Sequence, residues 1–334
     1  MTIVQRLGSA LRAPWVWVGV ALWVAANLSA LWLAGGYLPF DRPALAGQSF
    51  ARQMMLPSLG LIEIFLLMLI VWGLTARRVV PDLAARAPAR GKAALETGLL
   101  LVYAMAGQVG GWLLGPALGY RPFSFHIAGT LVGCSFPPTP GEAMTWMTYN
   151  FLVFAVVPYL WFRRRYSASA LNLTSTNRWN DFLVILVVGG IETAVELPVF
   201  PGFATMTSHQ ILIAAPLSFA IFFLGTVLPT MVLIYAILIP RYLKLTGSPV
   251  LTVILGGLTY AAMHLVEGWS VFDSPRDTAL SLIFVFLSYF GPGMIKTVIT
   301  LRTGNAWVHA LGYHAVAPHV IVDAPLVAKV FAIG

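Results

Sequence analysis

The sequence predicts an all-α, polytopic membrane protein of about nine transmembrane helices, and three observations carry that reading. Hydrophobic residues make up 59% of the 334 residues and charged residues only 10%, with a mean hydropathy of +0.83, a balance that places the chain among proteins whose solvent is lipid. Apolar runs of about 18 to 25 residues, the length a helix needs to cross a bilayer, recur along the whole chain. Basic residues alternate between the gaps that separate those runs, as they do when cytoplasmic loops are enriched in Lys and Arg.

Taken in order, the runs predict spans at 14–34, 56–75, 94–118, 143–162, 181–200, 210–239, 249–266, 279–300 and 304–322. The first, from Trp15 to Leu33, is longer than the apolar part of a secretory signal, and Ala34-Gly-Gly-Tyr37 after it is a poor cleavage site, so it is expected to be a retained helix. Its Trp15, Trp17, Trp23 and Trp32 fit an interfacial aromatic belt. Glu63 stands alone in the second span, with a partner-facing or lipid-headgroup role as its expectation. In the third, Gly107, Gly110, Gly111 and Gly115 supply small faces for close helix packing. The sixth is long and carries Pro216 and Pro229, so a kink is expected. Pro137-Pro-Thr-Pro-Gly141 and Val199-Phe-Pro-Gly-Phe203 read as rigid connectors. Lys296, toward the end of the eighth span, is expected to snorkel to the interface.

Placing the N-terminus in the cytoplasm puts fifteen of the 20 Lys and Arg residues on that side, from Arg6 and Arg12 through Arg77, Arg78, Arg86, Arg90 and Lys92 to Arg163, Arg164, Arg165, Arg178, Arg241, Lys244, Lys296 and Arg302. Arg42, Arg52, Arg121, Arg276 and Lys329 remain for the other side, where the C-terminus also falls. A bias of three to one that persists through nine alternations supports both count and orientation. No basic helix with interleaved aromatics is present, so the net charge of +8 reflects cytoplasmic loops and not a nucleic-acid partner. The single cysteine, Cys134, has no second thiol for a disulfide or a thiolate metal site and is expected to be a small buried or loop side chain. No gap holds a soluble domain and no internal repeat is visible, which leaves one helical membrane domain.

The informative polar residues lie in the C-terminal half. His264 and His314 each sit inside an apolar stretch, where an ionisable side chain is costly and usually functional. Glu192 and Glu196 share one face of the fifth span. Counting the helical rise, Glu192 is about 16 Å from the inner end of its span and His314 about 15 Å from the inner end of its own. Two histidines and two glutamates at one depth would suit zinc, manganese or iron; hydrogen-bonded or protonated carboxyls packing between helices are the alternative. His309, His314 and His319 are five residues apart, about 140° on a regular helix, so they are not expected to chelate together. His309 is expected to pack or hydrogen-bond, and His319, after Pro318, to turn toward His314 if the helix is disturbed. Glu267, three residues after His264, either orients that imidazole or is solvated at the mouth of its span.

The order Leu171-Asn-Leu-Thr174, then Leu224-Gly-Thr through Pro240-Arg-Tyr-Leu243, then Tyr260-x-x-x-His264, then Arg302-Thr-Gly-Asn-Ala-Trp307 with His314 resembles the CPBP family of intramembrane metalloproteases, the CAAX-processing and bacteriocin-processing group. The resemblance covers roughly the last 165 residues and divides the chain into a four-span extension, 1–165, and a protease-like membrane core, 166–334. In that family a Glu-Glu-x-x-x-Arg helix, a Phe-x-x-x-His helix and a helix carrying His-x-x-x-Asn build the site. The resemblance makes His264 and His314 the site histidines. Thr230 and Met231 stand where the paired glutamates would be, Tyr235 where the arginine would be, and Pro318 where the asparagine would be. A hydroxyl has no useful basicity at neutral pH and a thioether is a weak ligand for a borderline ion. The expectation is therefore a pseudoenzyme of the bacterial-type inner (plasma) membrane, with the lipid bilayer around it, serving as a membrane subunit, chaperone or hydrophobic-ligand binder for a membrane protein or apolar partner. The alternative is an active metalloprotease, with zinc as cofactor and a carboxylate displaced to Glu192 or Glu196, that cleaves a membrane-embedded or lipidated peptide.

Overall fold

In lipid every backbone N–H and C=O must find its partner inside the chain, which leaves helices as the economical solution for apolar segments of this length. The computed structural model describes residues 8, 11–40, 48–125, 138–267 and 269–334; Arg6, Arg42, Cys134 and Pro137 lie outside them. The principal elements are α1 (Pro14–Ala34), α2 (Phe50–Leu74), α3 (Arg90–Ala117), α4 (Pro140–Arg163), α5 (Arg178–Val199), α6 (Ser208–Thr246), α7 (Pro249–Ala262) and α8 (Pro275–Thr303). After them come α9, made of Ala306–His309 and Ala310–His314, then α10 (Ala317–Val322) and α11 (Ala324–Val330). Among the described residues there is no strand, and α1 to α6 together with α8 are long and apolar enough to cross a membrane. The protein is an all-α, multi-pass membrane protein.

Helix starts follow local chemistry. Proline occupies the first turn of α1, α4, α7 and α8, where its missing N–H has no intrahelical partner to lose. Thr139 and Glu142 form a reciprocal capping box at α4, as do Thr207 and Gln210 at α6. Gly35, Gly247 and Gly304 end α1, α6 and α8 with φ of 59°, 63° and 62°, the left-handed conformation that glycine adopts without a Cβ penalty.

Contacts between elements fix which helix ends lie together. At one end, Arg78 after α2 pairs with Asp181 of α5 and donates to the Thr303 carbonyl at the end of α8. Arg302 bonds Thr75 there, and Asn305 bonds Asp181 at 2.9 Å. Arg86 donates to Asn172 at 2.6 Å and to the Gly304 carbonyl at 2.7 Å, tying two connectors to the same end. At the opposite end Arg276 donates to the carbonyls of Leu33 and Ala34, Ser124 to that of Val266, and the C-terminal Gly334 carbonyl lies 2.7 Å from His209. The described chain therefore passes from one end to the other nine times. Seven passes are long helices, one is the 14-residue α7, and the last is the broken segment from 305 to 334.

Two of these passes differ from the uninterrupted spans expected from hydropathy. The ninth, read as one span over 304–322, is a short helix that widens into a π turn at Ala310–His314, breaks at 315–316, and resumes as a second π segment over Ala317–Val322, with Pro318 unable to donate to a preceding turn. It packs on α5, α6 and α8, while Leu311 and Val316 stay exposed. In the 39-residue α6, Pro216 and Pro229 are accommodated, and the departures from α geometry are π turns at Phe223–Val227 and Met231–Leu238. Every residue of Met231–Leu238 is buried, which makes α6 the central mast of the bundle.

Around that mast the outer helices show apolar side chains to lipid. Trp15, Trp17 and Trp32 are 40%, 61% and 81% exposed, as a lipid-facing helix requires, whereas Trp23 turns inward, its ring centroid 5.9 Å from that of Phe286. The glycines of α3 serve packing: a Cβ on Gly107 would lie 2.7 Å from Phe154, and one on Gly111 2.8 Å from the Phe123 carbonyl.

Candidate functional site

The site is assembled from α6, α7, α8 and α9, each of which places one polar group in an otherwise apolar core. On α6, Thr230 is 1% exposed, and its hydroxyl donates to the carbonyl of Thr226 at 2.9 Å, the usual bond of a threonine inside a helix. That leaves its oxygen lone pairs for His314, whose Nδ1 lies 3.4 Å away. The other ring nitrogen of His314, Nε2, is 3.1 Å from the Tyr260 hydroxyl on α7. A single protonation state satisfies all three groups. Nδ1–H donates to Thr230 and Nε2 accepts from Tyr260, so the ring is neutral and both nitrogens are engaged.

His264 closes the chain of contacts on its other side. Its Nδ1 lies 2.6 Å from the Tyr260 carbonyl, so this nitrogen donates and Nε2 is the acceptor of the ring. The imidazole stacks on Tyr289 of α8 with centroids 3.8 Å apart, and its own centroid is 4.5 Å from that of Tyr260. His264 and His314 are thus connected through one tyrosine, whose carbonyl serves the first and whose hydroxyl serves the second. Tyr260→Phe is expected to keep the ring packing and leave His314 Nε2 buried without a donor, lowering stability by about 1–3 kcal/mol, measured as the shift in unfolding free energy of the detergent-solubilised protein.

Met231 is buried at 2% exposure and Tyr235 at 0%. The Tyr235 hydroxyl is 3.4 Å from the Gly293 carbonyl of α8, and its ring packs 4.0 Å from that of His309. His309 is a packing residue, as expected: neither of its ring nitrogens has a hydrogen-bond partner among the described residues.

Several expectations need correction. His264, His314, Glu192 and Glu196 do not come together as a ligand set, and no group of three or more His, Cys, Asp or Glu side chains among the described residues is arranged to hold a metal ion. His314 lies on a π turn, which holds more residues per turn than an α-helix, and its ring meets Thr230 and Tyr260. Glu63 of α2 is half-buried, and its Oε1 has no hydrogen-bond partner among the described residues. His319 does turn toward His314, their ring centroids 5.1 Å apart, across the break at 315–316 that separates the two π segments. His319 is held there by Asp323, 2.9 Å from its Nδ1, and by Phe222, stacked at 4.5 Å. Glu267 is 2% exposed and so is not solvated.

The largest departure is Lys296. It is 1% exposed and does not snorkel; its Nζ sits 3.6 Å above the Tyr260 ring and 5.6 Å from that of Tyr313. Hydropathy counting placed it two turns from a helix end, close enough to reach water along a straight path. What blocks that path is the cover supplied by α7 and α9, which only the tertiary arrangement reveals. No family model, curated protein or solved structure matches this chain.

Proposed function

We propose that this chain is a non-proteolytic membrane protein of CPBP-like ancestry that acts as a membrane-embedded binding subunit for a membrane protein or hydrophobic ligand, with its N-terminus in the cytoplasm. The observation that carries the reading is the Thr230–His314–Tyr260 chain, in which hydroxyls occupy both nitrogens of His314, one of the two histidines that a metal or a reacting water would need. General-base catalysis contributes roughly 10²- to 10⁴-fold and requires a basic group within hydrogen-bond reach of the water. Thr230 supplies no such base. The resemblance in the last 165 residues supports the ancestry, and the loss of the glutamate pair at Thr230 and Met231 supports the loss of chemistry.

Zinc analysis and peptide cleavage test the proposal together. The purified protein is expected to hold no stoichiometric zinc and to leave lipidated and leader-type peptides uncut. Thr230→Glu and Met231→Glu combined with Tyr235→Arg restore the carboxylates beside His314, so this variant is expected to gain metal binding. Zinc near one equivalent in the unmodified protein, lost on Glu192→Gln or His314→Ala, would establish the displaced-carboxylate protease instead.

The charge distribution makes a separate prediction about topology. In a Cys134→Ser background, cysteines introduced at residues 90 and 170 are expected to be labelled only from the cytoplasm, and one at residue 334 only from the other side. Labelling of residue 334 from the same side as residue 90 contradicts both the orientation and the nine passes.

A further inference from the structure

At the end of the bundle where Arg78 and Asp181 meet, positive charge is left without counter-charge. The acids described at that end are already engaged: Asp181 pairs with Arg78, Asp82 accepts from the Ala85 amide at 3.1 Å, and Glu96 accepts from Arg241 and from the Tyr166 hydroxyl. Glu96 follows Lys92 by one helical turn, yet it is buried while Lys92 is exposed, so the two do not pair. Lys92 and Arg165 are exposed and Arg163 is half-buried, and none of the three forms an ion pair among the described residues.

Aromatic rings and a backbone carbonyl hold these cations instead of carboxylates. Lys92, in the first turn of α3, has its Nζ 5.6 Å from the centroid of the Tyr166 ring, and Arg163, the last residue of α4, donates from Nη1 to the Tyr166 carbonyl at 2.6 Å. The Arg165 guanidinium lies 5.0 Å from the Trp161 ring. Tyr166 is itself fixed, by its 2.6 Å bond to Glu96 and by Phe162, whose ring centroid is 5.9 Å away. One residue therefore gathers charge from the start of α3 and the end of α4. Cations held in this way are oriented but not neutralised. Toward the bilayer centre from them the surface turns apolar, with Leu95 and Leu99 of α3 each 61% exposed and Trp161 of α4 54%. The two helices run side by side, the Tyr103 hydroxyl of α3 donating to the Val153 carbonyl of α4 at 2.6 Å.

We propose that this corner, where α3 begins and α4 ends, is a binding site for an anionic phospholipid. Lys92, Arg163 and Arg165 meet its phosphate at headgroup level, and Leu95, Leu99 and Trp161 meet its acyl chains. The arginine fork matches phosphate oxygens and the lysine adds a point charge, while clustered basic residues at a membrane surface attract anionic lipid. A soluble anion or an acidic protein would satisfy the cations and leave the exposed leucines without a partner; a phospholipid satisfies both. The site is separate from the Thr230–His314–Tyr260 chain and does not depend on the binding function proposed for it.

The test is native mass spectrometry of the detergent-purified full chain, titrated with dioleoyl phosphatidylglycerol and, separately, with dioleoyl phosphatidylcholine. The wild-type protein is expected to bind the first phosphatidylglycerol more tightly than phosphatidylcholine. Each cation removed is expected to weaken that binding about fivefold, so Lys92→Gln, Arg163→Gln and Arg165→Gln together weaken it about a hundredfold and leave phosphatidylcholine binding unchanged. A second triple variant, Arg12→Gln, Arg77→Gln and Arg178→Gln, removes as many exposed cations elsewhere on the protein and is expected to keep the preference. If the first triple variant does not fold, Lys92→Gln alone, at an exposed side chain, decides the matter through its fivefold loss. Inorganic phosphate, added in place of chloride at constant ionic strength, is expected not to displace the lipid. Equal binding of the two lipids by the wild type overturns the proposal. So does a preference that survives in Lys92→Gln and in the first triple variant, one that the second triple variant loses equally, or displacement of the lipid by inorganic phosphate.

Discussion

Gly293→Leu is expected to abolish folding, and Gly293→Ala to destabilise the protein by about 1–3 kcal/mol, the range of overpacking in a tight core. Gly293 lies where α8 presses on α7. A Cβ added there would lie 2.6 Å from the Cβ of Tyr260 and 2.8 Å from the Cα of Gly257, and neither a backbone atom nor the root of a side chain can swing aside. The contact is mutual, because a Cβ on Gly257 would sit 2.8 Å from the Phe290 carbonyl, and one on Gly256 would collide with Thr297. Small residues on both faces let the two backbones approach, which is how helices associate where lipid removes the hydrophobic driving force. Moving Tyr260 also breaks its bond to His314, so packing and site fail together. Thermal unfolding in detergent, with Gly190→Ala as the control at a site where a Cβ meets nothing within 4 Å, measures the effect. A Gly293→Leu protein that melts with the wild type contradicts the close approach.

Glu96→Ala is expected to cost roughly 3–5 kcal/mol, the usual penalty for stranding one partner of a buried ion pair. Arg241, at 1% exposure, donates from Nε at 2.9 Å and from Nη2 at 2.6 Å to Glu96 Oε2. Its guanidinium lies 4.8 Å from the Phe162 ring and 4.9 Å from that of Tyr166, and Nη1 reaches the Ile237 carbonyl at 2.7 Å. The Tyr166 hydroxyl donates to the second Glu96 oxygen at 2.6 Å. Burial, reinforced by that carboxylate, pushes the Tyr166 phenol up to about 12, so it remains a donor throughout the physiological range. Removing Glu96 strips the guanidinium of its counter-charge and of the acceptor for Nε and Nη2, leaving only the Ile237 carbonyl, and takes the acceptor from the Tyr166 phenol. Glu96→Gln keeps one acceptor oxygen for Arg241, while its NH2 can only donate to the Tyr166 hydroxyl, and is expected to lose less than Glu96→Ala; Glu96→Leu combined with Arg241→Leu is also expected to lose less than Glu96→Ala alone, since no buried charge is then left unpaired. Equal stability of wild type and Glu96→Ala in the same unfolding assay removes the pair from the account.

By itself the sequence determined what depends on local composition. Membrane residence, the all-α class and the position of the seven long passes follow from the length of apolar runs, because a bilayer rewards length and hydrophobicity without regard to neighbours. The helix starts were equally local, since a threonine or proline before an apolar run acts within one turn. Singling out His264 and His314 needed only the cost of an imidazole in an apolar stretch. What the sequence could not carry was the identity of each side chain's partner. Counting helical rise put Glu192 and His314 at one depth, but not which groups each would meet: His314 bonds Thr230 and Tyr260, from within a π turn of α9 that departs from the spacing a regular helix assigns. Lys296 shows the same limit from the other side. Its distance from a helix end was legible, but its burial was decided by α7 and α9, whose cover over it comes from residues far away in the chain and leaves no periodic mark near position 296.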